Sequence, residues 1–469
     1  MKAIIFNHRY SILSFIFVMI IIFGNFAIIQ KHIIGVVPTY YRVFIPIIFI
    51  CLAIINEKEN KINEYIISSR NNIIKCFFII SLIWIIYACV SLLISPWSIF
   101  SEGAKEVMSL VLGAMSIYIV ITLIEKGQFN MILFAVKISI LVLLVIGYIE
   151  IFSGYHLSTS RLSDPQFWES IKESYGNNDV PETIKYMATG IFYNPNDYCA
   201  FLSVFSPIYV YHVNVKRKRL STIINYITLM LIFLIMIVDD AWICIIALIA
   251  GLLVHLVIEK APLIKWIITF GSILLTRFIG EYVLKGALWM LYKFTDNKIF
   301  EHYVQTSKVE EAVIVQVDNM SQDTGSMFLR LNTYIESIKE MFVQSKGLGL
   351  GAGSYSEYFK NIAESRKMMS NPHSLWIEIL SQYGIVIFLI FVSFLIYIFI
   401  KLLRGYIKNL NKSYVLVLAM GTCFIFASFA PSSFLKGSYY WLIIGMALGL
   451  LFCDVKQKYE KSEKLDYLN

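Results

Sequence analysis

Apolar residues in this chain gather into about twelve long runs, and the polar residues collect between them. A bilayer core about 30 Å thick needs roughly 20 apolar residues per crossing helix, so each run is long enough to span and too uninterrupted to fold in water. The runs fall at about 10–30, 36–55, 73–95, 104–124, 129–152, 193–213, 220–238, 241–258, 262–284, 374–400, 413–430 and 437–453. The expected fold is all-α: residues 1–469 form a single integral membrane domain, a polytopic transmembrane helical bundle of about 12 spans. Two longer polar segments interrupt the pattern, at about 153–186 and about 285–372.

The larger segment has a helical period of its own. Phe328, Leu331, Ile335, Ile338 and Phe342 recur at steps of three and four, the spacing of one helix face, with Ser326 placed to cap the start and Gly347 the end. This amphipathic helix is expected to lie flat on the outer face of the bundle, with Arg330, Tyr334 and Ser337 off the apolar stripe.

Charge sets the expected orientation. With a cytoplasmic N-terminus the inside loops hold Lys58, Lys61, Arg70, Lys126, the run Lys216-Arg217-Lys218-Arg219, Lys260, Lys265 and then Lys401 to Lys412, whereas the short outside loops offer only Lys31 and Lys436. Both termini are therefore expected in the cytoplasm, and 153–186 and 285–372 outside. The net charge of +8 is accounted for by this bias, so no nucleic-acid partner is expected. Composition agrees: 58% of residues are apolar and only 15% charged, with a mean hydropathy of +0.69, far from a soluble domain. Lys2 and Arg9 ahead of Tyr10 imitate a secretion signal, but the run is too long and lacks a small-residue cleavage site, so it reads as a retained first span. The seven cysteines lie in or at the ends of apolar runs without metal-ligand spacing and read as small core residues; no metal and no cofactor are expected.

Candidate chemistry gathers at the outer ends of the spans. The run Thr189-Gly190-Ile191-Phe192-Tyr193-Asn194-Pro195-Asn196-Asp197 enters the sixth span, where Pro195 suits a first helical turn and Asn194 or Asn196 is a cap or a ligand contact. Asp239 and Asp240 are either solvated turn residues or a paired-carboxylate site. Lys105 and Glu106 stand near the start of the fourth span, and Arg277 and Glu281 near the end of the ninth, where snorkelling accounts for the latter pair. The stretch Gly347-Leu348-Gly349-Leu350-Gly351-Ala352-Gly353 lacks nucleotide-loop spacing, and is expected to end a helix and bring backbone N–H groups to a phosphate or sugar. His373 opens the tenth span, followed by Glu378.

Together these segments resemble the O-antigen ligase and polymerase superfamily of membrane glycan transferases. The resemblance rests on Gly190-Ile191-Phe192 with Asn194-Pro195-Asn196, on Arg330 followed by the amphipathic helix and Gly347 to Gly351, and on His373, Glu378 and Gln382-Tyr383-Gly384-Ile385. It implies a metal-independent, inverting transfer at the outer face of the bacterial plasma (inner) membrane, from an undecaprenyl-diphosphate-linked glycan donor to a glycan acceptor. Arg330 would hold the diphosphate and His373 would assist the acceptor hydroxyl as catalytic residues. Asn194, Asn196, Glu378, Lys105, Gly349 and Gly351 would contact substrate. Where the family carries Ser-Arg at the start of the eighth span, this chain has Asp239-Asp240, so Lys105 or Arg277 would supply the missing cation, or the substrate differs.

The expected function is polymerisation of lipid-linked repeat units into a surface polysaccharide of O-antigen, capsule, exopolysaccharide or teichuronic-acid type, with membrane lipid, a chain-length regulator and a flippase as partners. The alternatives are a ligase moving finished glycan to a lipid or protein acceptor and, from another class, a lipid-oligosaccharide flippase or transporter. Against the last, no half-repeat is visible.

Overall fold

The computed structural model describes residues 2–26, 37–60, 72–174, 182–211, 219–295, 326–363, 369, 371–431, 435 and 437–466. Every regular element among them is helical: α1 (Lys2–Phe23), α2 (Tyr40–Asn60), α3 (Asn72–Ile94), α4 (Phe100–Glu125), α5 (Phe129–Ser153), α6 (Pro165–Ser174), α7 (Pro195–Phe205), α8 (Pro207–Tyr211), α9 (Arg219–Val238), α10 (Trp242–Ile258), α11 (Leu263–Thr295), α12 (Ser326–Ser345), α13 (Tyr355–Ala363), α14 (Leu375–Asn409), α15 (Lys412–Ala427) and α16 (Tyr440–Asp466), with short 3-10 turns at Arg161–Ser163 and Glu182–Tyr186.

Six of these helices are long and apolar enough to cross a membrane: α3, α4, α5, α9, α11 and α14. Five further apolar helices are shorter, at 10–17 residues, among them His8–Phe23 and Trp242–Ile258. The chain is a helical membrane protein. The expected run 193–213 is two helices, because Pro207 has no N–H to continue the ladder of α7 and instead begins α8. Of the expected large loop, residues 296–325, 364–368 and 370 lie outside the described residues.

The chain divides into two compact units. The first contains Met1–Ser139, Thr333–Gly421 and Ser433–Asn469. Here α16 lies close against α4 because glycines face bulky residues: a Cβ on Gly445 would stand 2.7 Å from Val120 Cβ, and one on Gly449 2.8 Å from Ile124 Cδ1. Small residues four apart let helix backbones approach where lipid provides no hydrophobic drive. On α3 the opposite holds: Ile79, Leu82, Ile86 and Leu93 are exposed, the surface expected of a lipid-facing helix. The exposed thiols of Cys51, Cys76 and Cys89 correct the expectation that all the cysteines are core residues, which holds for Cys199, Cys244 and Cys423.

The second unit contains Ile140–Asn332 and Thr422–Ser432. Its centre is α7, whose Tyr198, Phe201 and Phe205 are fully buried. Tyr198 donates its hydroxyl to the Leu143 carbonyl at 2.7 Å, and Gly147 makes room for it: a Cβ there would meet the hydroxyl at 2.8 Å. Phe192 stacks on Tyr198, which brings the segment before α7 into the core.

Candidate functional site

Within the second unit, two buried carboxylates hold three consecutive amides ahead of α7. Glu150 Oε2 accepts the N–H groups of Thr189 and Gly190 at 2.7 and 2.6 Å, while Oε1 accepts the Thr189 hydroxyl at 3.0 Å. Asp239 Oδ1 accepts the amide of Ala188 at 2.7 Å, and Cys199 donates its thiol to Oδ2 at 3.4 Å. These preorganised donors replace the water that each buried carboxyl group loses. His156 adds a further constraint: its Nε2–H donates to the Lys185 carbonyl at 2.8 Å, and Nδ1 faces Glu150 at 3.4 Å. Asp239 is therefore neither a solvated turn residue nor half of a carboxylate pair with Asp240, which is exposed and turns the chain at φ 53°. Glu150, on the last turn of α5, was missed in the sequence because a lone acid near a span end has no motif.

The segment held in this way leads directly into Asn194 and Asn196. Asn194 is buried and caps α7, its Oδ1 accepting the Asp197 amide at 3.0 Å with Pro195 at the first helical position. Asn196 is half-buried. Beside them lies a cation that sequence reasoning did not single out. The Arg161 amide donates to the Tyr193 carbonyl at 2.8 Å, and its guanidinium carbon stands 4.9 Å from the Phe167 ring centre. Burial pulls the Arg161 guanidinium below its usual pKa while Asp197 and Tyr193 oppose that shift, and an arginine keeps its charge nonetheless. Arg161 Nε is buried with no hydrogen-bond partner among the described residues. A hollow of about 270 Å³ lined by Gly154, Leu162, Trp168, Lys172 and Lys185 opens in the same region.

Arg330 belongs to this unit as well. One guanidinium nitrogen donates to the Phe429 carbonyl at 3.2 Å, and Nε, again buried, has no partner among the described residues. Asp197 and Arg330 both fall within electrostatic range of Cys244. The unit thus holds two half-buried arginines, Arg161 beside the Asn194 to Asp197 turn and Arg330 against Phe429, each with a buried Nε that has no hydrogen-bond partner among the described residues.

In the first unit the Gly-rich stretch and the Gln382-Tyr383-Gly384-Ile385 motif, 30-odd residues apart in sequence, interlock through their backbones. Gly384 has φ 77° and ψ 177°, which breaks the ladder of α14. The freed carbonyls of Ser381 and Gln382 accept the amides of Leu350 and Gly351 at 2.7 and 2.9 Å, and the Ile385 amide donates to Gly347 at 3.0 Å. Glycine is needed at this approach: a Cβ on Gly349 would lie 2.5 Å from the Gln382 carbonyl oxygen. The remaining amides are engaged too, Gly349 with Ser345 Oγ, Ala352 with Ser91 Oγ, and Gly353 with both Glu106 and Gln382 Oε1. The amides of Gly349 and Gly351, expected to approach a phosphate or sugar, are donated within the protein.

Glu106, buried beside this loop, also accepts the Tyr383 hydroxyl at 2.8 Å. Lys105 forms a half-exposed pair with Glu102 at 2.6 Å, and Arg277 is exposed on α11, so neither expected substitute cation stands as a buried charge. His373 lies immediately before α14 with φ 46°, a left-handed conformation that costs a non-glycine residue energy, and its carbonyl accepts the Tyr334 hydroxyl at 3.3 Å. Glu378 is buried one turn into α14, within electrostatic range of Tyr355 and Tyr383. Arg330 and His373 thus belong to different units. Among the described residues no group of three His, Cys, Asp or Glu side chains is placed to hold a metal ion.

No family model matches the chain. The teichuronic acid biosynthesis protein TuaE of Bacillus subtilis (strain 168) is 24% identical to it over 382 residues, covering 78% of this chain and 69% of that protein. The resemblance to the O-antigen ligase and polymerase superfamily rests on the motifs alone.

Proposed function

We propose that this protein is a membrane glycan polymerase, joining undecaprenyl-diphosphate-linked repeat units into a surface polysaccharide of the teichuronic-acid kind at the outer face of the plasma membrane. The observation that carries the reading is a pair of half-buried arginines in one unit, Arg161 beside the Asn194 to Asp197 turn and Arg330, each with a buried Nε that has no partner among the described residues. The similarity to a teichuronic acid biosynthesis protein over most of the chain supports it.

In this reading an acceptor hydroxyl attacks the anomeric carbon of the donor sugar from the face opposite the diphosphate. The new C–O bond forms as the bond to the diphosphate breaks, and the configuration inverts. By the resemblance, the hydroxyl proton passes to His373, imidazole being the commonest general base. Negative charge grows on the leaving diphosphate, where guanidinium N–H groups fit paired oxygens. Arg161 fills the place of the cation that Asp239-Asp240 cannot supply, and Asn196 orients the sugar. Glu150 and Asp239 hold the segment that presents these groups.

The test is chain growth. Purified protein in vesicles is given one lipid-linked repeat unit and the products are separated by length. A ladder of products supports polymerisation. Transfer of preformed glycan to another acceptor without a ladder would indicate a ligase, and movement of intact donor across the bilayer without bond formation would indicate a flippase.

A further inference from the structure

The helix α12 is amphipathic in the opposite sense from a helix packed on a protein core. Within the first unit its apolar stripe points outward, with Ile335 55% exposed, Phe342 49% and Val343 65%, while Thr333 and Ser337 are fully buried and Glu340 is 3% exposed. The buried polar side is satisfied by the unit's own groups. Ser337 Oγ lies 2.5 Å from the Tyr355 hydroxyl, Tyr358 donates to Glu340, and the Met369 amide donates to Thr333 Oγ1 at 2.8 Å. A helix with a polar inner face and an apolar outer face is unstable against water and suited to hydrocarbon.

The outward stripe also continues into lipid-facing surface. Phe342 is in contact range of Gly347, which in turn neighbours Ile385, and the exposed Leu348 follows. The Leu348 carbonyl accepts the Tyr87 hydroxyl of α3, whose neighbours Ile83, Ile86 and Val90 are exposed and apolar. From Ile385 the exposed surface runs on through Val386 and Leu389 of α14, a helix long enough to cross the membrane. Lys339, exposed and 3.5 Å from Glu336, stands about 40° round the helix from Ile335, within the outward face, and the exposed Lys346 follows the helix end at φ 52°. Long lysine stems on such a face can snorkel to phosphate while the apolar arc meets acyl chains.

We infer that α12 is a membrane-embedded in-plane helix whose Ile335, Ile338, Phe342 and Val343 stripe is covered by phospholipid acyl chains, with Lys339 and Lys346 at the headgroups. Its occupant is the bilayer itself, because the stripe is continuous with the exposed apolar surface of a helix long enough to span. The inference stands apart from the enzymatic reading and does not depend on catalysis.

The test uses the unmodified protein in vesicles of phosphatidylethanolamine and phosphatidylglycerol containing a phospholipid with a diazirine in one acyl chain. After irradiation, peptides are mapped for lipid adducts, with the Val386–Leu389 stretch of α14 as the internal standard. Adducts on the Ile335–Val343 peptide within about fivefold of that standard are expected for a helix at acyl depth, and labelling below that level overturns the inference. A second arm places p-benzoylphenylalanine at Ile338 in living cells. Adducts to phospholipid are expected; an adduct to a second copy of the chain or to another protein would show that protein covers the stripe and would overturn the proposal.

Discussion

The amide of Leu350 donates to the carbonyl of Ser381 at 2.7 Å, taking the acceptor that an unbroken helix would have given to Ile385. The Ile385 amide turns instead to Gly347. Two glycine-bearing segments, one a turn and the other a break within α14, thereby satisfy one another's backbones inside an apolar unit, where an unpaired N–H or C=O costs several kcal/mol. The glycines at this crossing are required by close approach.

Substituting Gly384→Ala should therefore destabilise strongly. The residue sits at φ 77°, and an added Cβ would lie 2.4 Å from the Leu348 carbonyl carbon. Left-handed strain and overpacking together cost roughly 2–5 kcal/mol. Gly271→Ala is the contrast, since nothing lies within 4 Å of a Cβ there. In detergent, thermal melts should show a large fall for the first variant and no fall for the second.

Glu150→Ala should loosen the segment before α7. It removes the acceptor for the Thr189 and Gly190 amides and the Thr189 hydroxyl, leaving three buried donors without that partner at a cost of about 2–5 kcal/mol. Glu150→Gln should recover only part of that, because its amide nitrogen would face an N–H. Hydrogen exchange at residues 188–190 checks this: protection should fall most in Glu150→Ala, less in Glu150→Gln, and remain unchanged in Asp240→Asn, where the side chain is exposed.

Charge-conserving substitution separates a paired contact from a point charge. Arg330→Lys and Arg161→Lys should each lower the initial transfer rate by about 10²–10³-fold if guanidinium donors stabilise the leaving diphosphate, because an ammonium cannot reproduce the fork. Lys105→Ala should leave the rate within about threefold, as its charge is balanced by Glu102 at the surface. Equal activity in all three variants would remove both arginines from the site.

His373→Ala should abolish visible polymer while preserving membrane insertion and donor binding, since general base assistance is typically worth about 10²–10⁴-fold. The comparison is single-turnover transfer against donor affinity in the same vesicles. Loss of both together would assign His373 a role in holding the start of α14, where it adopts φ 46°.

Orientation is checked with Gln166→Cys, at an exposed position on α6. Labelling by an impermeant thiol reagent in intact cells, above the background of the wild-type thiols, is expected if the segment of about 153–186 is outside. Labelling only after permeabilisation would reverse the topology and the outer-face mechanism with it.

The apolar runs by themselves determined that this is a helical membrane protein and where most of its helices lie. A hydrocarbon-length apolar segment has no solvent for its backbone and must satisfy every N–H and C=O within a helix. Local chemistry was equally legible at Pro195 and Asn194, where the first helical position and its cap depend on neighbours within three residues. The rest was decided by tertiary structure. Asp239 and Ala188 are 51 residues apart, and Glu106 and Tyr383 are 277 apart, so no local pattern reveals that these carboxylates are buried acceptors. The same holds for Arg161, which becomes a site candidate only because its amide meets Tyr193, and for the stripe of α12. Periodicity shows that one face is apolar, but which face meets protein depends on Tyr355, Tyr358 and Met369 supplying partners for the polar side.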